Sequence, residues 1–562
     1  MKNELSIPAQ DRPSPRTLAD PLYYLRNFVW VIEWVRSRYG NLLDASEREF
    51  VAEFLALPEA SQGILVRMVM RKGTVFRVDK LAYPELGATP RAIRPLADRQ
   101  WVKTEPLLDL EALFNLFTWP ELRRVLAEPL TQAGFTGNRK GEALSVLTEM
   151  GLDARTAPEW GLTETPACEF RLMPLCDRFR LMFFGNLHQD WSEFVVTELG
   201  TYHYESVEFT EESRPFHSRA EIDTYLQLHA CREGFYRGEA LDETAAAIPP
   251  LPSENPWLAR MRDRLVFKIA REWERAGELG EACLLYHDCG HPEARGRLLR
   301  VLEKGGDHEL ALALARQAYA APATEAERQH LHRLLPRLER SLGLPPSISR
   351  PKKTTLQKLE LSLPLAASVE LAVVEHLHTT DAPTYYVENT LLTGLFGLLC
   401  WEPVFAPLPG AFFHPFQRGP ADLHWPDFYR RRKASFDACF RQLDSGEYRS
   451  SILKNFSNKQ GRLSPFVHWD LLSETLLQQA LLCIPAQHLK LIFGRILGDI
   501  QINRAGLPDL IQFWPEQGHY QMIEVKGPGD RLQDNQVRWL SFCAAKGIPA
   551  QVCTVSLQTR VQ

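Results

Sequence analysis

The sequence predicts a multidomain protein whose first two-thirds is mostly α-helical and whose last third is a smaller α/β domain. The chain has 562 residues, and domains usually contain about 100–200 residues, so three or four domains are expected. Up to the segment Leu344-Pro345-Pro346 the sequence is rich in Ala, Leu, Arg and Glu, with helical periodicity. Beyond this linker, aromatic residues and short strand-like runs become more frequent. This change in composition separates the two parts.

The composition is that of an ordinary globular protein and excludes several other classes. Hydrophobic residues make up 45% and charged residues 24%, which argues against a disordered chain, a collagen-like fibre and a coiled-coil rod. No apolar run approaches the roughly 20 residues needed to span a bilayer, and Leu391–Trp401 is predicted to be a buried helix. The first residues lack the apolar segment of a signal peptide. Ten cysteines without a CxxC pair favour buried thiols in a reducing compartment. We therefore expect a cytoplasmic protein.

Three patterns organise the helical part. The aromatic run Tyr23–Tyr39 predicts a helix, and residues 60–180 also have mostly helical character. Consecutive prolines at 249–252 predict a break. After this break, the segment that begins at Gly277 is echoed by the segment that begins at Gly306, and the two are 29 residues apart. This spacing is typical of helical-pair repeats, although an ordinary helical bundle would also explain two copies.

Positive charge is concentrated locally although the formal net charge of the chain is −5. The window 67–103 contains nine basic and three acidic residues, and a weaker basic stretch covers 260–275. Such a patch is either a solvated surface or a site for phosphates. The candidate DNA contacts in the first patch are Arg71, Lys72, Arg77 and Lys80.

The most informative segment lies near the end of the chain and predicts a β-hairpin. Leu510–Trp514 and His519–Lys526 have strand-like composition, and residues 515–518 between them are turn formers. Because side chains alternate along a strand, Glu524 and Lys526 lie on the same face. A further strand is expected at Ala550–Ser556.

The predicted hairpin brings two carboxylates and an ammonium group together. Asp509 immediately precedes the first strand, so it lies near Glu524 and Lys526 of the second. Asp509 and Glu524 supply the oxygen ligands that Mg²⁺ or Mn²⁺ prefers, and the carbonyl of Val525 supplies another. Lys526 is placed to stabilise a phosphate in the transition state or to orient the attacking water. A Glu–Lys pair on a strand is often only a surface ion pair, but the order of strand, turn, strand and helix favours a metal-dependent phosphodiesterase.

A helix is predicted after the second strand. Asp530 is expected to be its N-cap, with Gln533 as the capping partner, and Gly547 is expected to end it. Gln536 would then lie two turns into the helix, with its side chain directed at the scissile phosphate or a bound water.

The motifs of this segment resemble those of a known family. They are Gly506-Leu507-Pro508-Asp509-Leu510, Glu524-Val525-Lys526-Gly527-Pro528, Asp530-Arg531-Leu532, Gln536 and Trp539. They are similar to the VRR-type nuclease domain of the Fanconi-associated nucleases, which belongs to the PD-(D/E)xK superfamily and has a restriction-endonuclease-like α/β fold. The resemblance extends more weakly over the rest of the chain.

This resemblance implies a division into four parts. They are an N-terminal helical domain at 1–80, a SAP-type DNA-binding region at 81–250, a tetratricopeptide-like helical repeat domain at 251–345 and the VRR-type nuclease domain at 350–562. The larger relatives also carry a ubiquitin-binding zinc finger. No cysteine precedes Cys168, so no such finger is expected here, which suggests a bacterial member.

The resemblance also implies further site residues. Family members have a glutamate just before an apolar run that ends in tryptophan, and Glu388 occupies that position here. Glu388, Asp509, Glu524 and the Val525 carbonyl would together hold two metal ions. Arg504 and Arg531 are candidate phosphate contacts near these ions.

The implied function is a structure-specific DNA endonuclease that cuts 5′ flaps and branched DNA. The resemblance further implies 5′-to-3′ exonuclease trimming, a role in interstrand-crosslink repair, and Mg²⁺ or Mn²⁺ as cofactor. Two alternatives are a DNA-repair scaffold whose nuclease domain has decayed and a junction-resolving nuclease of the same superfamily. The oligomeric state does not follow from the sequence.

Overall fold

A computed structural model of the chain describes residues 20–191, 193, 203–349, 355–364 and 368–557. It divides into two compact units. The first contains Met1–Tyr202 and Arg214–Ile222, and the second contains His203–Ser213 and Asp223–Gln562.

The first unit consists mainly of helices. They are α1 (Tyr23–Tyr39), α2 (Ala45–Ala56), α3 (Glu59–Val69), α4 (Thr89–Asp98), α5 (Leu110–Leu116), α6 (Trp119–Val125), α7 (Ala127–Gln132), α8 (Lys140–Glu149) and α9 (Met173–Phe184). The helix predicted from the aromatic run is confirmed with the same bounds. Local signals start several of the others, as in α2, where Asp44 accepts a hydrogen bond from Glu47 N at 2.8 Å and the Glu47 side chain accepts one from Asp44 N.

A small sheet in this unit departs from the expected helical character of residues 60–180. Its strands are β1 (Val75–Arg77), β2 (Val102–Thr104) and β3 (Ala167–Phe170), which pair antiparallel in the order β1-β3-β2. Strands of three or four residues are too short to show a period of two in the sequence. The sheet also joins residues on both sides of the division expected at residue 80.

The second unit begins with a succession of helices that pack on their neighbours. They are α10 (Arg219–Arg237), whose first residues belong to the first unit, α11 (Leu241–Ala246), α12 (Pro256–Ala276), α13 (Leu279–His287), α14 (Ala294–Gly305), α15 (His308–Ala320) and α16 (Glu325–Ser341). The break expected at the proline cluster is confirmed, because it lies between α11 and α12.

The echoed segments mark equivalent helix ends. Gly277 follows α12 with a φ of +92°, and Gly306 follows α14 with a φ of +85°. Glycine adopts this left-handed conformation without steric cost, which lets the next helix start within two residues. Buried alanines at 282 and 311 then hold the helices close together. The linker after α16 runs into residues 350–354, which lie outside the described residues.

The rest of the second unit is an α/β domain built on a five-stranded mixed sheet. Its strands are β4 (Gln357–Leu363), β5 (Thr384–Tyr386), β6 (Leu510–Trp514), β7 (His519–Lys526) and β8 (Ala550–Leu557), in the order β4-β8-β7-β6-β5. The β4–β8 and β8–β7 pairs are parallel, whereas the β7–β6 and β6–β5 pairs are antiparallel. The predicted hairpin and the predicted strand near residue 550 are both confirmed.

Helices accompany this sheet. They are α17 (Val369–Leu377), α18 (Leu391–Leu399), α19 (Trp401–Val404), α20 (Phe428–Arg431), α21 (Lys433–Ser445), α22 (Tyr448–Asn458), α23 (Glu474–Cys483), α24 (Ala486–Gly498), α25 (Ile500–Asn503) and α26 (Asp534–Lys546). Every residue of α18 is buried, as expected from its apolar sequence.

The two faces of the sheet have separate cores, as the alternation of β7 predicts. Tyr520 and Met522 belong to the larger core, which they share with α18, α21, α24 and α26. Ile523 and Val525 belong to a smaller core with Val373 of α17. The carboxyl end of β7, where Glu524 and Lys526 lie, therefore has packed layers on both sides.

Within the described residues, no single helix is both long and apolar enough to cross a membrane. The helices α23 and α24 reach that length and composition only together, and they are bent by 109° at the break between them.

Candidate active site

Asp509 and Glu524 are brought side by side by the antiparallel pairing of β6 and β7. Leu510 lies opposite Ile523 in the register, so the preceding residue Asp509 lies opposite Glu524. Val525 N donates a hydrogen bond of 2.8 Å to Asp509 Oδ2, which fixes the Asp509 side chain against β7. The sequence-based placement of these two carboxylates is therefore supported by the structure.

Lys526 lies on the same face of β7 as Glu524. Its Nζ is 2.7 Å from Glu524 Oε1, and its side chain is 15% exposed whereas that of Glu524 is fully buried. Neither oxygen of Glu524 has a well-aligned hydrogen-bond donor among the described residues. A buried carboxylate normally has such donors, so this one has coordination capacity that the protein does not fill.

The protonation of both carboxyl groups reflects this burial. Burial raises the pKa of Glu524 to about 7, and the nearby Lys526 opposes the rise. Burial also raises the pKa of Asp509, while the hydrogen bond from Val525 N opposes that rise. The charge of Asp509 further raises the pKa of Glu524, and the charges of Glu388 and Glu370 raise that of Asp509. A divalent cation between Asp509 and Glu524 would remove this penalty, because it favours both ionised forms.

Glu388 lies beside this pair although it is 121 residues before Asp509 in the sequence. Val387 N donates to the backbone carbonyl of Asp509 at 2.8 Å, and β5 pairs with β6 immediately before this point. The Glu388 side chain is exposed, and its Oε2 accepts a hydrogen bond from Tyr386 Oη. That hydrogen bond is the main reason why the pKa of Tyr386 is raised.

The donor set fits a divalent cation bound by oxygen. Asp509 and Glu524 are adjacent, and the strongest indication is Glu524 Oε2, which has no partner among the described residues, whereas Oε1 is paired with Lys526. Hard cations select carboxylate oxygens. Within the described ranges no three Asp, Glu, His or Cys side chains already converge closely enough to hold an ion. Glu388 would complete such a set if its Oε1, which is 3.3 Å from Asn389 Nδ2, turned toward the ion while its Oε2 kept the hydrogen bond from Tyr386 Oη.

The loop that carries the Gly-Leu-Pro-Asp motif is closely packed on the start of α26. Gly506 has a φ of +86°, and a Cβ at this position would lie 2.8 Å from the Asn535 side chain. Both the conformation and the close approach require glycine here. Asn535 is therefore a packing residue at the start of α26.

The start of α26 differs from the expectation. Its N-cap is Gln533, and the helix begins at Asp534, whereas Asp530 accepts a hydrogen bond from Gly527 N at 3.0 Å. Gln536 lies in the first turn, not two turns in, and its Oε1 accepts a 2.8 Å hydrogen bond from Gln533 N. Gln533, which was expected to be the capping partner, is thus the N-cap itself, and Gln536 is its partner in the capping box. Several polar residues near the start of a helix offer alternative caps. The catalytic role of Gln536 stays a prediction.

Arg504 lies just before the motif loop in a positively charged environment. Its side chain is half-buried, and burial lowers its pKa. Burial lowers the pKa of His424 and His468 as well, and the charge of Arg504 adds to both effects. Arg531, the other predicted phosphate contact, is exposed in the loop before α26.

The four basic residues predicted in the first patch have different environments. Arg71, Lys72 and Lys80 line an open groove of about 740 Å³ in the first unit. Arg77 also borders it, but its guanidinium pairs with Asp79 and Glu121, each at 2.9 Å, and the residue is buried. Arg77 is therefore a structural ion-pair residue, and we exclude it from the DNA contacts.

Two residues near the site were missed by sequence reasoning. Tyr386 contacts Glu388, and the half-buried Glu370, on α17, is close enough for its charge to raise the pKa of Asp509. Neither residue belongs to a motif with a characteristic spacing. Only the pairing of β5 with β6 and the packing of α17 on the sheet bring them to the site.

A mixed sheet whose hairpin presents Asp509, Glu524 and Lys526 defines a nuclease of the PD-(D/E)xK type. Comparison with known proteins agrees with this class. Residues 443–557 match the model of the VRR-NUC domain. Residues 22–103 match the FAN1 HTH domain, and residues 107–160 match the Fanconi anemia-associated nuclease SAP domain.

Full-length relatives extend the similarity to nearly the whole chain. The chain is 51% identical over 542 residues to the Fanconi-associated nuclease 1 homolog of Pseudomonas aeruginosa, with 96% of each chain covered. It is 24% identical over 615 residues to the homolog of Arabidopsis thaliana, which covers 95% of this chain and 67% of the plant protein.

Solved structures of a relative are also similar over nearly the whole chain. The crystal structure of paFAN1 bound to DNA with a 2-nucleotide 5′ flap and a gap has a TM-score of 0.92 and 50% identity, and it covers 97% of this chain and 100% of that one. The protein belongs to the Fanconi-associated nuclease 1 family and is a nuclease. The family resemblance predicted from the motifs is confirmed, and nucleases of this family are generally metal-dependent.

Proposed function

We propose that the protein is a structure-specific DNA endonuclease that cuts 5′ flaps and branched duplexes, trims in the 5′-to-3′ direction and acts in interstrand-crosslink repair. The observation that carries this proposal is the buried Glu524 carboxylate beside Asp509: its Oε1 is paired with Lys526, and its Oε2 has no partner among the described residues. The relatives of known structure are bound to 5′-flap DNA, which supports the choice of substrate.

The proposed cofactor is Mg²⁺ or Mn²⁺, with two ions. Glu388, Asp509, Glu524 and the Val525 carbonyl would hold them. Bound divalent ions supply Lewis-acid polarisation of the phosphate and a more acidic water. Lys526 contributes a positive charge close to Glu524, where it can donate a hydrogen bond to a phosphate oxygen as negative charge develops.

The proposed DNA contacts lie in both units. Arg71, Lys72 and Lys80 border one open groove, and their charges would contact duplex phosphates without reading the sequence. In the second unit, Arg504 makes no ion pair with the residues that the structure describes, and it lies near two histidines whose pKa values are lowered. A half-buried cation without an anionic partner is suited to a phosphate group.

The basic stretch at 260–275 contributes to the same environment. The charges of Arg260 and Arg264 add to that of Arg504 in lowering the pKa of His424, and Arg418 has the same effect on His468. We propose that these arginines extend the phosphate-binding surface next to the nuclease site. A cytoplasmic location, in association with the nucleoid, is part of the proposal.

Substitution of the two central residues tests the proposed chemistry. We expect Asp509→Ala and Lys526→Ala each to reduce cleavage of a 5′-flap duplex in Mn²⁺ by more than about 100-fold, because the first removes a metal ligand and the second removes a positive charge at the reacting phosphate. DNA affinity, measured by fluorescence anisotropy, should remain within a few-fold.

Exposed residues of the same types provide matched controls. Glu516 lies in the turn of the β6–β7 hairpin, and Lys546 ends α26, and both are exposed. Glu516→Ala and Lys546→Ala should cleave like the wild type. Retained metal-dependent cleavage in both Asp509→Ala and Lys526→Ala would falsify the assignment.

A panel of substrates distinguishes the alternative functions. A 5′-flap enzyme should cut the flap duplex at least ten times faster than a four-way junction or a plain duplex at equal concentration. Faster cutting of the junction would favour the junction-resolving alternative. Binding without any cleavage in Mg²⁺ or Mn²⁺ would favour the scaffold.

A further inference from the structure

The backbone of Glu388 is fixed on both sides to the loop and strand that carry Asp509. On one side, Val387 N donates to the carbonyl of Asp509 at 2.8 Å. On the other side, Asn389 Oδ1 accepts a hydrogen bond of 3.1 Å from Leu507 N. Asn389 has a φ of +54°, a conformation that asparagine tolerates better than most residues. The position of the Glu388 backbone next to Asp509 is therefore set before any ion binds.

The side chain of Glu388 is the part that remains to be ordered. It is exposed, and an exposed glutamate loses considerable rotamer freedom when it binds a metal. In the structure one oxygen accepts a hydrogen bond from Tyr386 Oη, and the other is 3.3 Å from Asn389 Nδ2. The hydrogen bond from Tyr386 is the shorter of the two. Its acceptor is a carboxylate, and a charged acceptor strengthens a hydrogen bond.

Tyr386 is itself held in place by the sheet. It is the last residue of β5, opposite Leu510 of β6, and its side chain is 47% exposed. At this exposure the ring contributes little to the core, whereas the hydroxyl contacts Glu388. The strand thus places a hydroxyl donor two residues before the glutamate that it contacts.

We propose that Tyr386 is the positioning residue of Glu388: its hydroxyl donates to one carboxylate oxygen and so preorganises the side chain as a metal ligand. This inference rests on the proposed function, in which Glu388 is a ligand. Partners that hydrogen-bond a ligating carboxylate orient it, and their loss typically lowers metal affinity 10- to 100-fold. Tyr386 acts through Glu388 and does not contact the ion.

The test is the Mn²⁺ affinity of the full-length protein, measured by isothermal titration calorimetry without DNA. Tyr386→Phe keeps the ring and the strand preference but removes the donor. We expect its dissociation constant for Mn²⁺ to rise about 10-fold, and the Mn²⁺ concentration for half-maximal flap cleavage to rise in parallel, while the rate at saturating Mn²⁺ changes less than 3-fold.

Tyr429→Phe is the matched control, because Tyr429 donates a 2.8 Å hydrogen bond to Asp437 in the same kind of tyrosine–carboxylate pair. It should leave Mn²⁺ affinity unchanged. In a Glu388→Ala background, Tyr386→Phe should add less than a 2-fold effect. The proposal is overturned if Tyr386→Phe binds Mn²⁺ as tightly as the wild type or more tightly, or if its effect persists without Glu388. If the wild type itself binds no Mn²⁺ and cuts no flap, the proposed function fails instead.

Discussion

At the scale of single residues, the site depends on one carboxyl group placed where a carboxylate is costly. Glu524 is fully buried, and its charge is opposed by burial and by Asp509. Among the described residues, Lys526 offsets part of this penalty. The residue is therefore unfavourable for stability and suited to cation binding, a compromise that is common at functional sites.

This cost predicts a pH-dependent stability in the absence of metal. The pKa of Glu524 is about 7 in the folded state and about 4.5 when unfolded. The native state therefore retains a proton that the unfolded chain releases. The stabilisation from this proton is complete below about pH 4.5 and is lost as the pH rises through about 7. Glu524→Gln carries no charge at this position at any pH, so the variant does not lose this stabilisation as the pH rises.

We expect the advantage of Glu524→Gln over the wild type to grow between pH 5 and pH 8 by roughly 2–3 kcal/mol, since one pKa unit corresponds to about 1.4 kcal/mol. The measurement is urea unfolding in EDTA, followed by tryptophan fluorescence. Glu516→Gln, at an exposed turn position, should show no such growth. An equal difference at both pH values would contradict the role of burial.

At the scale of elements, α18 shows how closely a helix and a loop pack beneath the site. A Cβ on Gly397 would lie 2.6 Å from Phe466 Cβ and 3.1 Å from Val467 Cγ2. Because α18 begins at Leu391, three residues after Glu388, the packing of α18 affects where Glu388 lies. The apolar run that follows Glu388 in the sequence is thus a buried helix, and this helix supports Glu388.

Two glycine substitutions separate packing from helix propensity. Gly397→Ala should lower the free energy of unfolding by about 1–3 kcal/mol, because the methyl group meets a packed neighbour. Gly494 of α24 is exposed, and a Cβ there would meet nothing within 4 Å. Gly494→Ala should raise the free energy of unfolding by about 0.5–1 kcal/mol. Thermal melting of both variants checks the signs. A stabilising effect of Gly397→Ala would show that α18 can shift away from Phe466 and Val467.

At the scale of the whole molecule, the last helix of the repeat-like region is joined to the nuclease domain within the second unit. Arg333 of α16 forms hydrogen bonds of 2.7 and 2.5 Å with Asp534 of α26. Arg495 pairs with Glu325, and its guanidinium lies over the rings of Trp539 and Phe542. The helical region is therefore anchored on the helix that packs beside the site.

The basic groove of the first unit predicts how the DNA affinity of the protein depends on sequence and on salt. Arg71→Gln with Lys72→Gln should weaken binding to all duplex sequences alike, because phosphate contacts carry no sequence information. Loss of two such contacts should reduce the slope of log affinity against log salt by about 2. Fluorescence anisotropy between 50 and 200 mM salt, with catalysis blocked by Asp509→Ala, is the measurement.

A control with the same change in charge isolates the groove. Arg26 and Arg36 are exposed and pair with Asp20 and Glu33 in the same unit. Arg26→Gln with Arg36→Gln should leave the salt slope unchanged. Equal slopes for both double variants would place the phosphate contacts elsewhere.

Features encoded locally could be predicted from the sequence. The hairpin and the helix at Tyr23–Tyr39 depend on side-chain periodicity and turn residues within a short window. The placement of Asp509, Glu524 and Lys526 also follows from strand alternation. These predictions succeeded because neighbours in sequence alone determine them.

The tertiary structure decided what depends on distant segments. It pairs β5 with β6 and so brings Glu388 and Tyr386 to Asp509, it buries Glu524, and it assigns Arg77 to acidic partners. It also selects Gln533 as the cap of α26. Burial and pKa values arise from packing between elements far apart in the chain, whereas residue types and their spacing specify only which chemistry is available.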